Sequence, residues 1–133
     1  MDFPNNPVDG ATIRLNGQRF IANNSVWGKS NGNEIATVAA GVVDLSKSDV
    51  HVLNLSGAAV SVSVINPLAS GVIDEFLLEI VLTAATNVTW PASFKWDKGT
   101  PPTLPTSGRC VLAGYTRDGG VRFEMGVVSS DSK

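Results

Sequence analysis

Residues 75–108, EFLLEIVLTAATNVTWPASFKWDKGTPPTLPTSG, decide the fold. Over residues 75–82 the side chains alternate between two faces of the chain. One face carries Phe76, Leu78, Ile80 and Leu82, and the other carries Glu75, Leu77, Glu79 and Val81. This period of two residues predicts a long β-strand with one fully apolar face, because a helix would scatter these apolar groups around its axis.

The second half of this stretch is rich in tryptophan and proline. Its prolines are Pro91, Pro101, Pro102 and Pro105. Because each proline fixes φ and removes a backbone donor, this part cannot pair as a sheet throughout. We therefore expect short strands and an ordered loop, which Trp90 and Trp96 hold against the sheet as a lid. The two indoles could instead form a flat platform for a sugar ring, with Lys95 as a further candidate ligand contact.

Alternating residues and turn residues recur along the chain. The predicted strands are residues 35–45, 50–55, 59–65, 73–82, 87–89, 94–96, 109–115 and 121–127. In Val60-Ser61-Val62-Ser63-Val64 one face is pure Val and the other is pure Ser until Ile65, as in a strand with one buried side. Short strands at turn spacing predict an all-β fold, an antiparallel β-sandwich of the jelly-roll type. The Ala-rich residues 35–43 are the segment most compatible with a helix.

The first third of the chain has a different pattern. Residues 12–15 and 18–21 flank Asn16-Gly17, a strong hairpin signal because both central residues of a type I′ turn need positive φ. Residues 26–28 add a third strand. We therefore divide the chain into an N-terminal arm with a small β-meander, residues 1–33, and a β-sandwich domain, residues 34–133.

Composition and charge exclude several classes of partner. The 10 basic and 12 acidic residues give a formal net charge of -2 and form no runs, so we expect no nucleic-acid partner. No apolar run approaches the length of about 20 residues that a membrane helix needs, so we expect no membrane insertion. The N-terminus lacks a secretory pattern, and we expect the mature protein to begin near Met1. The single cysteine, Cys110, excludes an intrachain disulfide and fits folding in a reducing cytoplasm.

The residue pattern assembles no active site. His51 is the only histidine and shares a strand face with Leu53 and Leu55, so we interpret it as a partly buried or interface residue rather than a catalytic base. Glu75 and Glu79 lie about 13 Å apart along their strand, which is too far for paired carboxylates of the glycosidase type. We predict no catalytic residue, no cofactor and no metal.

Apolar residues occupy both faces of several predicted strands. Leu77 and Val81 oppose the apolar face of the long strand, and elsewhere Val50 and Val52 oppose Leu53 and Leu55. Cys110 and Leu112 likewise oppose Val111 and Tyr115. One set faces the core, and the other would form an exposed apolar patch unless subunits cover it. We therefore predict a homo-oligomer, with Leu77 and Val81 in its interface.

From Val43 onward, several segments form a recognisable pattern. They are Val43-Asp44-Leu45-Ser46, residues 50–57, Asn66-Pro67-Leu68-Ala69-Ser70-Gly71, residues 76–80, residues 88–108, Val111-Leu112 and residues 115–120. The most specific segment is the tryptophan–proline loop, residues 88–108. This pattern resembles a domain that recurs in virion proteins of tailed bacteriophages, often near the ends of tail fibres. Asn6-Pro7-Val8-Asp9-Gly10 with the following hairpin also resembles a small module of phage tail proteins.

This resemblance implies a non-enzymatic virion structural protein, made in the host bacterial cytoplasm and displayed on the particle surface. A tail-fibre or tail-tip component involved in host attachment is the first expectation. The alternatives are a head decoration protein that stabilises the capsid and a free carbohydrate-binding module. Phage fibres commonly assemble as trimers, so the resemblance implies a homotrimer. Its further partners would be other virion proteins and host-surface glycan.

The N-terminal arm is the candidate virion anchor. Residues 2–9 contain two prolines and two asparagines without periodicity, and too little apolar surface to fold alone. We expect this arm to be ordered by docking onto a neighbouring subunit or another virion protein. Phe3, Pro4 and Pro7 are the residues that would make that contact.

Overall fold

The computed structural model describes residues 12–15, 18–23, 26–29 and 35–132. Its strands are β1 (Thr12–Leu15), β2 (Gln18–Asn23), β3 (Val26–Lys29), β4 (Ile35–Thr37), β5 (Val42–Asp44), β6 (Val50–Ser56), β7 (Val60–Ser61), β8 (Ser63–Ile65), β9 (Asp74–Ala84), β10 (Val88–Thr89), β11 (Phe94–Lys95), β12 (Gly108–Thr116) and β13 (Phe123–Ser132). A 3-10 turn spans Asp97–Gly99, and the described residues contain no α-helix. The prediction of an all-β fold is confirmed.

The largest sheet has six strands in the order β11-β13-β12-β9-β6-β4. Its long strand β9 is the one predicted from the alternation of residues 75–82. Phe76, Leu78, Ile80 and Leu82 are buried on one side of it, whereas Leu77 on the other side is 41% exposed. The predicted assignment of the two faces is therefore confirmed.

Part of this sheet is parallel, and crossover connections join its strands. Strands β4, β6 and β9 are parallel neighbours. Between them the chain passes through the short strands β5, β7 and β8, which pair in parallel as β5–β8 and β7–β10. Parallel neighbours need such a crossover, because a tight turn can join only antiparallel strands.

The antiparallel arrangement that we predicted is therefore wrong for these strands and for the parallel pair β11–β13. It holds on the other side of β9, where β12 pairs antiparallel with both β9 and β13. Turn residues in the sequence favour hairpins, and they carry no signal for strands that pair after a long excursion. The jelly-roll order stays a prediction.

Two predicted strands are broken where the chain changes partner. Residues 35–45 divide into β4 and β5, because Ala40 and Gly41 have φ of 53° and 75° and the Val42 N–H donates to Ala39 O over 3.0 Å. Residues 59–65 divide at Val62, whose N–H donates to Thr89 O, while the N–H of Ser63 donates to Gly41 O. The Val and Ser faces of this segment are nevertheless as predicted, since Val62 is buried and the flanking serines are exposed.

The core lies between one face of the six-stranded sheet and the short strands. Its buried residues are Val43, Leu45, Leu53, Leu55, Val62, Phe76, Leu78, Ile80, Leu82, Phe94, Cys110, Leu112, Phe123 and Met125. Val43 and Val62 come from the short-strand side, and most of the others come from the sheet. The opposite face of the sheet keeps large apolar side chains exposed, among them Ile35 at 65% and Tyr115 at 43%.

The N-terminal strands form a sheet of their own. Strands β1, β2 and β3 pair antiparallel in that order, as the predicted meander requires. The Asn16-Gly17 turn, and the arm with Phe3, Pro4 and Pro7, lie outside the described residues. The division of the chain into residues 1–33 and 34–133 stays a prediction.

Candidate functional site

The tryptophan–proline loop is attached to the core at both ends. Before Trp90, strand β10 pairs with β7, and after it β11 pairs with the first residues of β13. Between these strands the Phe94 N–H donates to Pro91 O over 3.0 Å, and the Phe123 N–H donates to Ser93 O over 2.8 Å. The first bond closes a turn that begins at Pro91, and the second ties the end of this turn to the start of β13.

The two indoles belong to a continuous cluster of aromatic rings. Trp90 stacks on Phe94 at an interplanar angle of 24° with 6.0 Å between the ring centroids, and it meets the edge of Trp96 at 5.4 Å. Phe94 is only 4% exposed and contacts Phe123 at 5.6 Å and Phe76 at 6.4 Å. Both indoles are half-buried and pack against the core. This arrangement favours the lid over the sugar platform, because one face of Trp90 is already covered by Phe94.

The remaining contacts of the loop also fix its shape. Lys95 Nζ donates to Ala92 O over 2.8 Å at an exposed position. The Gly99 N–H donates to Trp96 O over 2.9 Å and closes the 3-10 turn, in which Lys98 has a φ of 54°. Leu104, between the prolines, packs against the core. The ammonium group of Lys95, which we predicted as a candidate ligand contact, is therefore directed at the loop backbone.

His51 is a core residue. It is 1% exposed, its Nε2 lies 2.8 Å from Ser48 O, and its ring meets the edge of Phe76 at 6.3 Å. The interpretation of a partly buried or interface histidine is therefore wrong on burial. The cause is the position of β6, an interior strand of the sheet, which places His51 on the covered face together with Leu53.

The carboxylates near the turns act as acceptors for local donors. Asp44 Oδ1 accepts from the N–H and Oγ of Ser46 at 3.0 and 2.6 Å and from Asn66 Nδ2 at 3.1 Å. Burial pushes the pKa of Asp44 up, but the hydrogen bonds from Ser46 and Asn66 outweigh it and the net pKa is lowered. Asp44 thus joins the end of β5 to the turn that follows β8.

Asp118 plays the same role in the turn between β12 and β13. Its Oδ1 accepts from the Arg122 N–H at 3.0 Å and from Thr116 Oγ1 at 2.9 Å. The hydrogen bond from the Arg122 backbone is the main cause that lowers the pKa of Asp118 below its ordinary value of 3.8. Within the described part of the chain, no group of three or more His, Cys, Asp or Glu residues could hold a metal ion.

The uncovered face of the six-stranded sheet is the other candidate site, and we call it the outer face. Its register brings Ile35, Val50, Leu77, Ala113 and Gly126 into one row across five strands. A second row joins Glu75, Tyr115 and Glu124. Val81 lies further along the same face beside Arg109, which pairs with Glu79 at 3.4 Å. Leu77 and Val81 thus share the face that we predicted, and their role in an interface stays a prediction.

A groove with a volume of about 690 Å³ opens on this face. Leu77, Ala113, Tyr115 and Gly126 line it, and a Cβ added at Gly126 would meet no atom within 4 Å. The charged residues that line it are all acidic, namely Asp49, Asp74, Glu75 and Glu124. The sequence did not predict the groove, because its residues come from separate strands whose register no local pattern reveals.

In the residues that the structure describes, no helix has the length and apolar character to span a membrane. The chain matches no protein-family model, no curated protein and no solved structure.

Proposed function

We propose that the chain is a non-enzymatic structural protein of a tailed-bacteriophage virion, exposed on the particle surface. A tail-fibre or tail-tip component involved in host attachment fits it best. The observation that carries this proposal is the role of residues 88–108, the most specific part of the resemblance. Their aromatic residues form a packed cluster, in which Trp90, Phe94 and Trp96 contact one another and the core. A structural role explains this motif without a reaction.

Two other segments that are similar to the phage tail domain contact each other, which supports the interpretation that they belong to one structural unit. The turn of residues 66–71 packs against the turn of residues 117–120. The Gly71 N–H donates to Arg117 O over 2.9 Å. A Cβ added at Gly120, where φ is 89°, would lie 2.9 Å from Cγ of Pro67. The glycine and the proline of the two motifs are therefore explained by close packing between turns.

Self-association is part of the proposal. The exposed apolar residues of the outer face form a contiguous row rather than isolated side chains, and such rows mark contact surfaces. A homotrimer covers them and agrees with the phage-fibre resemblance. Other virion proteins would hold the assembly on the particle, through the arm that carries Phe3, Pro4 and Pro7, and host-surface glycan would be the ligand of an attachment protein.

Electron microscopy of intact particles with a bound antibody tests the proposal. Labelling at the tail end is the expected result. Labelling spread over the head would replace the attachment role with the decoration role, in which the protein stabilises the capsid. Purified particles without the protein would overturn the virion assignment itself.

Deleting residues 2–9 tests the anchor separately. We expect the shortened chain to be folded and soluble but missing from particles, because the sequence of the arm has too little apolar surface to fold alone and the arm is the candidate contact with the virion. Far-UV circular dichroism checks the fold. Incorporation at unchanged occupancy would place the anchor elsewhere in the chain.

A further inference from the structure

Tyr115 lies in the groove of the outer face and is 43% exposed. Among the aromatic residues whose burial the structure describes, it alone is exposed, and the others are buried or half-buried. No hydrogen bond from a described residue engages its hydroxyl. An exposed aromatic ring in a concave site offers a flat apolar surface to a ligand.

Two carboxylates flank Tyr115 on the same face. Register places Glu75 of β9 on one side of it and Glu124 of β13 on the other. Side chains in such cross-strand positions have Cβ atoms about 4.5–5.5 Å apart. Glu124 pairs with the Arg122 guanidinium, whereas no side-chain hydrogen bond or ion pair within the described chain engages Glu75. An aromatic ring between two carboxylates therefore stands in the groove.

The size of the groove fits a small-molecule ligand. Its volume of about 690 Å³ lies within the range of roughly 300–1,000 Å³ that is typical of such sites. Two residues before Tyr115, the outer face carries Ala113, whose register partner is Gly126. A Cβ added at Gly126 would meet no atom within 4 Å, so the space beside this backbone is open. Leu68 and the exposed Ile73 add apolar lining.

The lining of the groove decides the chemistry of the ligand. A sugar ring has C–H groups on its faces, which pack on an aromatic ring, and hydroxyl groups at its rim, which donate hydrogen bonds. An ionised carboxylate accepts such bonds, and they are about twice as strong as bonds between neutral groups. The charged residues that line the groove are all acidic, so a ligand with carboxylate or phosphate groups would be repelled.

We propose that the groove around Tyr115 binds a non-acidic sugar residue of a glycan, with the ring stacked on Tyr115 and hydroxyl groups that donate to Glu75 and Glu124. This inference rests on the host-attachment role proposed above and names the site of its glycan. Self-association over the apolar row leaves this end of the groove in solvent, because burial of the Glu75 carboxylate without a cation is costly.

Binding of the full chain to an array of neutral, amino and acidic oligosaccharides is the first test. We expect binding to neutral and amino sugars and none to sugars that carry carboxylate or phosphate groups. Added salt should leave the binding of neutral sugars unchanged, because their contact contains no ion pair that salt could screen. No binding to any oligosaccharide, or a preference for acidic ones, would overturn the inference.

Substitutions in the row test the contacts, with the dissociation constant of the best neutral oligosaccharide measured by calorimetry. Tyr115→Ala should weaken binding at least about tenfold, whereas Tyr115→Phe retains the ring and should stay within about twofold. Glu75→Gln should weaken binding about fivefold, because a charge-assisted hydrogen bond becomes a neutral one. The matched control is Glu79→Gln, since Glu79 shares the strand and the face of Glu75 but pairs with Arg109 outside the groove.

Gly126→Val blocks the groove without removing a proposed ligand contact. The added side chain meets no neighbour within 4 Å of its Cβ, and valine is favoured in strands, so thermal melting should show an intact fold. We expect binding at least about tenfold weaker, because the side chain occupies the space beside Tyr115. Ser130→Val is the matched control, since Ser130 is an exposed residue of β13 that does not line the groove.

The remaining outcomes separate this inference from its alternatives. Tetralysine is the probe for a basic protein segment, and its binding at low salt without displacement by any oligosaccharide would assign the groove to such a partner and overturn the inference. Glycan binding that survives both Tyr115→Ala and Gly126→Val would place the glycan on another surface, which also overturns the inference but leaves the attachment role intact. Antibody labelling of the head would overturn the attachment role, while the binding data on the purified chain would still decide the groove.

Discussion

Replacing Trp90 by Ala is the sharpest test of the tryptophan–proline loop as a lid. The substitution removes the ring that stacks on Phe94 and that contacts Trp96 at 5.4 Å. Truncation of a buried tryptophan costs about 3–5 kcal/mol of unfolding free energy, and each aromatic pair contributes about 0.5–1.5 kcal/mol of it. Because the indole is half-buried, we expect a loss of about 3 kcal/mol, at the lower end of that range.

Urea denaturation followed by far-UV circular dichroism measures this loss without relying on the fluorescence of the residue removed. For a domain of this size, about 3 kcal/mol corresponds to a fall in Tm of roughly 10–15 °C. Trp90→Phe is the matched control, since a phenyl ring retains the stacking on Phe94 and should cost about 1 kcal/mol.

Glycan binding by the same variants distinguishes the lid from the platform. The lid predicts that Trp90→Ala loses stability first and that any loss of binding follows the loss of fold. A variant with unchanged unfolding free energy and abolished glycan binding would refute the packing argument and establish the indoles as a ligand surface.

Three further predictions follow from backbone strain, burial and pKa. Gly41→Ala should lower the free energy of unfolding by about 2–5 kcal/mol, because the added Cβ would lie 2.3 Å from Ser61 O. Gly99→Ala has a similar φ but no atom within 4 Å of the added Cβ, so it should cost only about 1 kcal/mol. The difference between the two variants in thermal melting measures the effect of the clash. His51→Ala should lower stability by about 2–4 kcal/mol through the cavity that it leaves, and a loss of infectivity with unchanged assembly and melting would contradict its structural role. Because the pKa of Asp118 is lower in the folded state, its ionised carboxylate stabilises the fold at pH values above the ordinary pKa of 3.8. This contribution is lost as the pH falls through the pKa of the folded state. In urea titrations, the difference in unfolding free energy between the native chain and Asp118→Asn should therefore narrow as the pH falls through that range.

The alternation of hydrophobic residues predicted the faces of the strands well. Phe76 and Leu78 are buried and Leu77 is exposed, as a strand with one covered side requires. The same rule placed Val62 inside and its serine neighbours outside. These assignments need only the local chain, since the pleat sends successive side chains to opposite faces whatever the partner strand is.

Strand partners were less accessible to prediction. β6 and β9 lie side by side in parallel, but the residues between them form β7 and β8 and pair elsewhere. No turn signal accompanies a pairing of this kind, so the sequence suggested hairpins instead. Gly41 was a usable signal for the break between β4 and β5, because its positive φ of 75° ends the extended run.

The two candidate sites also differ in how far the sequence predicts them. The aromatic residues of the loop could be predicted to pack together because Trp90, Phe94 and Trp96 are close in sequence. The groove could not, because Tyr115 comes to lie between Glu75 and Glu124 only through the register of β12 with its two neighbours. Local patterns thus predict clusters within one segment, and long-range register decides surfaces assembled from several.

The two faces of strand β9 belong to two different processes, the folding of a single chain and the assembly that we propose. Leu78 is fully buried, so its contacts belong to the free energy of folding of a single chain. Leu77, one residue away, is still 41% exposed after folding, so its remaining apolar surface is available to a partner in the assembly that we propose. Leu78 therefore contributes to folding and Leu77 to the proposed assembly, although the two residues are adjacent in the chain. A shift of one residue in the register of β9 would exchange its two faces. The outer face therefore forms only after β9 has paired correctly with β6 and β12. The proposed assembly therefore requires a completed fold and cannot substitute for it.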